Sequence, residues 1–167
     1  MTKNMEKKYL STGNNEHPTP KVLFDNIKNT LGIEYDIDLS ASSENTKCDK
    51  FWSKEQDALK QVWNESFNWC NPPYSKDLQP KFVQKAYESS LEFGNTFVFL
   101  SPLRGDTQLW HEYIWGKADV YIFKGRPKFY SDKSPTYASA VVVFSSSEIK
   151  NIYTVDKEFN IINKISN

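Results

Sequence analysis

A chain of 167 residues has room for one domain, and 38% hydrophobic against 25% charged residues excludes a disordered protein. Its 21 basic and 21 acidic side chains cancel, which excludes the broad positive field of a dedicated phosphate-backbone binder, so any nucleic-acid contact must come from local patches. Cys48 and Cys70 form neither a zinc spacing nor a disulfide framework, and no apolar run reaches membrane-spanning length.

Residues 1–17 are polar, include Gly13-Asn14-Asn15 and lack the apolar stretch of a signal peptide. They are expected to form an N-terminal arm ahead of a single compact domain at 18–167, in a reduced, cytoplasmic setting. Thr19-Pro20 reads as a helix start, with Thr19 as cap and Pro20 in the first turn. Val22, Leu23, Ile27 and Leu31 recur at helical spacing until Gly32. Tyr35–Leu39 alternates as a short strand, Ser40–Asp49 is a polar connection, and Lys54–Val62 is a short helix with turn character. Ser66–Cys70 is a second strand, stopped by Asn71-Pro72-Pro73.

Pro80–Phe93 is a helix with Phe82, Val83, Ala86, Tyr87 and Leu91 on one face, closed by Gly94-Asn95. Thr96–Leu100 is apolar throughout, as in strands buried on both faces of a parallel sheet. Thr107–Trp115 is helical, and Asp119–Phe123 and Ala140–Phe144 are strands. Tyr153–Val155 and Ile161-Ile162 suggest an edge strand or hairpin. This alternation predicts an α/β fold with a mostly parallel central sheet flanked by helices. Ligands then sit beyond the carboxyl ends of the strands, where Asp38 and Asn71 fall.

Asn71-Pro72-Pro73-Tyr74 suits the methylation of an exocyclic amine such as adenine N6, a poor nucleophile whose lone pair is delocalised into the ring. The Asn71 side-chain oxygen and the Pro72 carbonyl can each accept one amine hydrogen and stabilise the charge that develops. Pro72 has a locked φ and Pro73 holds it extended, so the second acceptor is fixed in direction. Tyr74 can lie on a base flipped out of a duplex. The plain alternative is a strand-ending turn. The site's position, directly after an apolar strand and ahead of an amphipathic helix, favours a catalytic loop.

A series of short motifs accompanies this element in order. They are Thr19-Pro20 with Leu23-Phe24-Asp25, Tyr35-Asp36-Ile37-Asp38 with Ala41 and Glu44-Asn45, Asp57-Ala58-Leu59 with Trp63, and Cys70–Ser75. Phe82–Ala86, Leu100-Ser101-Pro102 with Asp106-Thr107 and Trp110-His111, Lys124-Gly125-Arg126 with Phe129, and Ser139–Phe144 follow. Through them the chain resembles the phage-type DNA N6-adenine methyltransferases, a family of small Dam-like enzymes, from Pro18 to Phe144.

The resemblance implies a Rossmann-like fold dependent on S-adenosylmethionine, DNA as partner, no metal, no membrane association and action in a host cytoplasm. It implies cofactor contacts from Thr19, Pro20, Asp38, Ala41 and Asp57. Catalysis falls to Asn71, Pro72, Pro73 and Tyr74, and substrate contacts to Ser75, Arg126 and Phe129. Specificity is left to short loops, Arg104–Gln108 and Arg126–Thr136, and oligomeric state is not assigned. Leu39–Ser43 carries no glycine where the wider superfamily has a glycine-rich loop.

Each residue also has a plainer role: Asp38 as a cap, Asp57 as a solvated helix charge, Arg126 as a turn residue. His111 is expected to be structural, and Trp63, Trp110 and Trp115 are expected in the core. The same catalytic element suits an RNA base or a protein glutamine, and a non-catalytic DNA-binding relative is the alternative to an enzyme.

Overall fold

A computed structural model of the chain describes residues 18–128 and 137–165; the expected arm at 1–17 and Phe129 lie outside the described residues. Helix α1 spans Lys21–Leu31. Pro20 itself occupies the cap position, with φ −56° and ψ 140°. Thr19, expected as the cap, makes no capping bond, and its hydroxyl is engaged elsewhere. At the far end Gly32 adopts φ 66°, and its N–H and that of Ile33 close the helix on Asn29 and Lys28. Strand β1 (Ile37–Asp38) is only two residues long, shorter than the alternating stretch suggests. The expected helix at Lys54–Val62 is a single 3₁₀ turn, Ala58–Lys60. Strand β2 (Phe67–Cys70), helix α2 (Gln79–Phe93) and strand β3 (Thr96–Pro102) follow. Helix α3 (Gln108–Tyr113), β4 (Asp119–Phe123), β5 (Ser139–Phe144) and a hairpin of β6 (Ile152–Val155) and β7 (Ile161–Ile165) complete the order.

The strands form one seven-stranded sheet in the order β1-β2-β3-β5-β4-β6-β7. The α/β class is as expected, but the sheet is mixed rather than mostly parallel. The β1–β2, β2–β3 and β4–β6 pairs are parallel, whereas β3–β5, β4–β5 and β6–β7 are antiparallel. The cause is β5. It lies antiparallel between β3 and β4, which stay parallel to each other and are joined by a crossover through α3. Its continuous apolar run reports burial on both faces, which a central antiparallel strand shares with a parallel one. Strands β1, β2, β3, β4 and β6 still point the same way, so their carboxyl ends share one rim.

Alternation along the central strands divides the core between the two faces. Phe97, Phe99, Ala140, Val142 and Phe144 face α2, α3 and the 3₁₀ turn, together with Trp63 and Trp110. Val98, Leu100, Val141 and Trp69 face α1 through Leu23, Phe24 and Ile27. Trp69 meets Phe24 edge-on at 5.0 Å, and burial of such a ring is worth about 3 kcal/mol. Trp115 is half-buried against the first cluster. His111 is exposed on α3. Two residues expected on buried helix faces are not there: Val22 is 71% and Leu91 63% exposed. On α2 the small residues Ser89 and Ser90 are buried instead, which lets the helix approach the sheet closely.

Candidate active site

The site begins where β2 stops. Pairing of β2 with β3 ends at Cys70 and Phe99, while β3 continues beside β5 to the Pro102–Ser139 pair. Past Phe99, then, β3 has lost its β2 neighbour at the rim. Asn71 follows directly, half-buried, and Pro72 after it is buried. The Asn71 amide is held at both ends. Its Nδ2 donates to the Thr19 hydroxyl at 3.1 Å, and its Oδ1 accepts from the Tyr74 hydroxyl at 2.6 Å. The Tyr74 hydroxyl also lies 3.2 Å from the Leu100 carbonyl, filling the gap left on β3. Cys70, just before Asn71, is fully buried, and burial pushes its thiol well above the ordinary range. It stays protonated and is no nucleophile.

Ser75 is half-buried and accepts the Leu78 N–H at 3.0 Å, while its carbonyl accepts from Gln79. It therefore turns the chain into α2. Gln79 in turn donates to Ser101 at 3.1 Å, tying the start of α2 to the end of β3. Tyr137, which the sequence reading did not single out, meets Tyr74 edge-on with ring centroids 6.0 Å apart. A lone aromatic in a polar segment just ahead of a strand was the signal available.

Asp38 ends β1 on the strand next to β2 and is 3% exposed. Its oxygens accept the backbone N–H groups of Ser40 at 3.3 Å and Lys47 at 3.1 Å, so it organises the loop that follows. Burial pushes its carboxyl up to about 6, with those two hydrogen bonds and the Lys47 charge working the other way. The loop returns so that Phe51 runs parallel to β1, and Ala41 donates its N–H to Trp52 at 3.1 Å.

The turn after Phe51 therefore emerges on the same rim, and it carries Asp57. That residue adopts φ 53°, ψ 88°, a conformation an L-residue holds only under strain. Its carboxylate accepts the Leu59 N–H at 3.2 Å and lies 3.4 Å from Lys60. Lys85 of α2 clamps this turn from below through the Leu59 and Gln61 carbonyls. Asp57 is thus neither helical nor simply a solvated charge.

Arg126 follows β4, exposed between the exposed Lys124 and Lys128. Gly125 takes φ 81°, and a Cβ there would meet Lys157 at 2.9 Å. This segment shares the rim with Asn71 but starts three strand positions away, about 14 Å at ordinary strand spacing. The structure thus brings Thr19, Asn71 and Tyr74 together, sets Asp38 on the neighbouring strand, and keeps Arg126 apart. Among the described residues no cluster of His, Cys, Asp or Glu could hold a metal ion, and no helix is long and apolar enough to cross a membrane.

Fold and site together define an α/β protein with a hydrogen-bonded Asn-Pro-Pro-Tyr loop at the carboxyl rim of its sheet. The chain belongs to the DNA N-6-adenine-methyltransferase (Dam) family, whose sequence profile matches residues 8–160. It is 35% identical over 133 residues to a DNA N-6-adenine-methyltransferase of Escherichia phage T1, covering 70% of this chain and 54% of that protein. It is 32% identical over 118 residues to a DNA N-6-adenine-methyltransferase of Haemophilus phage HP1 (strain HP1c1), covering 70% of this chain and 66% of that protein. The chain thus spans about half of the first relative's length and just under two thirds of the second's.

Proposed function

We propose that this chain is a Rossmann-like methyltransferase that transfers a methyl group from S-adenosylmethionine to N6 of adenine in DNA. The observation that carries the reading is the Asn71 amide, fixed at the sheet rim just past β2 with its oxygen against a hydroxyl donor. An oxygen that accepts from a tyrosine hydroxyl also accepts from an amine. Family membership supports the same chemistry.

In this reading the adenine amine gives one hydrogen to Asn71 Oδ1 and the other to the Pro72 carbonyl. Both bonds strengthen as positive charge develops on the nitrogen, so they lower the barrier and not merely the binding energy, and the methylated nitrogen would then release one proton to solvent. Tyr74 supplies a ring for the flipped base, with Tyr137 edge-on behind it. Pro73 stiffens the loop and Ser75 anchors it to α2. Arg126 and Phe129 serve the substrate, Arg126 by meeting a phosphate flanking the extruded nucleotide. Residues 1–17 act as an arm and 18–167 as one domain, working in the host cytoplasm.

The residues present fit the donor. When bound, S-adenosylmethionine supplies an electrophilic methyl group on a sulfonium. Each Asp38 oxygen accepts one main-chain N–H and keeps a lone pair for an amino group. Asp57 offers the same capacity for a purine amine, and Pro20 and Ala41 stand near the ends of β2 and β1, while the Thr19 hydroxyl is engaged by Asn71.

The test is incubation with labelled S-adenosylmethionine and DNA, RNA or protein in competition, followed by nucleoside mass spectrometry. N6-methyladenine in DNA is expected, and Asn71→Ala is expected to abolish it while leaving cofactor affinity largely intact. Label in RNA or glutamine instead would move the acceptor, and full activity in Asn71→Ala would remove the mechanism.

A further inference from the structure

We propose that Thr19 is a positioning residue for Asn71, its hydroxyl holding the side-chain amide against rotation with Oδ1 turned to Tyr74. The consequence for turnover rests on the reaction proposed above; the hold itself does not.

A primary amide turned through half a revolution exchanges its acceptor for two donors at nearly the same place. A flipped Asn71 would aim N–H groups at an amine that itself offers only N–H groups, and no bond would form. The Tyr74 hydroxyl lies against Oδ1 at 2.6 Å, but an incoming amine competes for that same oxygen. Thr19 grips the other end, where substrate does not compete: Nδ2 donates to its hydroxyl at 3.1 Å.

Thr19 is well suited to hold still. It is 4% exposed, and its branched side chain is stiff at χ1. It also precedes Pro20, which restricts its backbone to extended conformations. Pro20 caps α1, and α1 is fastened to the sheet by Leu23, Phe24 and Ile27. The rigidity of the helix is thereby passed through one hydroxyl to the amide. The capping position taken by Pro20 is what leaves that hydroxyl available, whereas a capping threonine would spend it on the helix.

The test compares wild type with Thr19→Val, which keeps the shape and removes the hydroxyl, and with Thr19→Ser, which keeps the hydroxyl. Hydrogen exchange at Asn71 Nδ2, read by NMR on 15N-labelled protein, is expected to quicken about tenfold in Thr19→Val and to stay slow in Thr19→Ser. In the methylation assay kcat is expected to fall about tenfold in Thr19→Val and to be largely restored in Thr19→Ser. Cofactor affinity by calorimetry and KM for DNA are expected to change little. Should Thr19→Val not fold, Thr19→Ala carries the same comparison. Unaltered Nδ2 exchange in Thr19→Val overturns the proposal, as does a loss of cofactor affinity with kcat maintained, which makes Thr19 a cofactor contact. A wild-type protein that methylates no DNA refutes the proposed reaction, while the exchange measurement still decides the hold.

Discussion

The Tyr74 hydroxyl lies 2.6 Å from Asn71 Oδ1, so the oxygen assigned to the substrate amine is already taken by the chain's own donor. The loop rests in an arrangement in which a base must displace or share that bond. Ring and hydroxyl of Tyr74 therefore have opposite effects. The ring offers a surface for the base, worth about 1–3 kcal/mol. The hydroxyl competes with the amine.

Tyr74→Phe separates the two. It is expected to keep kcat/KM for DNA at or above the wild-type value, with a gain of up to about fivefold from one lost competing hydrogen bond. Tyr74→Ala is expected to lose about tenfold or more with the stacking surface. Steady-state kinetics on one DNA substrate checks both. Equal losses in the two variants would mean that the hydroxyl assists the reaction.

A second prediction concerns Asp38. Its carboxyl titrates near 6 in the folded protein against an ordinary value of 3.8, because burial disfavours the charge. The folded state therefore holds this proton more tightly than the unfolded state. Stability from this group is fully present below pH 3.8 and is lost as pH rises to about 6, by about 3 kcal/mol in all. Relative to Asp38→Asn, which does not titrate, wild type should gain stability as pH falls from 7 to 4.5. Chemical denaturation at the two pH values measures the difference, and 13C NMR of the Asp38 carboxyl should show its midpoint near 6. If the cofactor's amino group pairs with this carboxylate, cofactor affinity must also weaken below about pH 6, since only the ionised form attracts it. A flat affinity from pH 7 to 5 would confine Asp38 to organising its loop.

Arg126 supplies a third. It starts about 14 Å from the Asn71 strand and is flanked by Lys124 and Lys128, in a chain whose net charge is zero. Its concentration of charge suits a phosphate rather than the reacting base. Arg126→Ala is expected to raise KM for DNA at every sequence alike, with a smaller effect on kcat. The slope of log affinity against log salt should fall by about one phosphate contact. A loss of sequence preference with an unchanged salt slope would put Arg126 on a base edge.

Physical reasons separate what the sequence disclosed from what it hid. Helix α2 is readable because Phe82, Val83 and Ala86 recur on one face, and β3 because Phe97–Leu100 is apolar after the Gly94-Asn95 stop, although the strand runs on to Pro102. The position of Asn71 was readable because a proline pair cannot continue a strand. The place of β5 was not, since an apolar run reports burial and is silent on strand direction. Leu91 was misread because its spacing on α2 matches the buried face, yet the buried arc runs through Ser89 and Ser90. Thr19 looked like a helix cap because its type and its proline neighbour fit one; only the fold brings it to Asn71, 52 residues away. Tyr137 likewise acquires meaning only from the ring it meets.

The strain at Asp57 gives the last prediction. Its φ of 53° is a conformation that costs a non-glycine residue about 1 kcal/mol. In return its carboxylate caps the 3₁₀ turn through Leu59 and pairs with an exposed lysine, a pair of little value by itself. Glycine at this position would release the strain and lose the cap, so the two effects nearly cancel. Asp57→Gly is therefore expected to fold with a stability within about 1 kcal/mol of wild type. A purely structural Asp57 would then leave cofactor binding unchanged. If its free lone pairs receive the purine amine, affinity should drop about tenfold or more, the worth of a hydrogen bond to a charged group. Asp57→Asn, which tolerates the left-handed conformation and retains one acceptor, should fall between. Calorimetric titration beside thermal melting separates the cases: a tenfold loss of affinity without a loss of stability marks Asp57 as a binding residue, and parallel changes in both mark it as a turn residue.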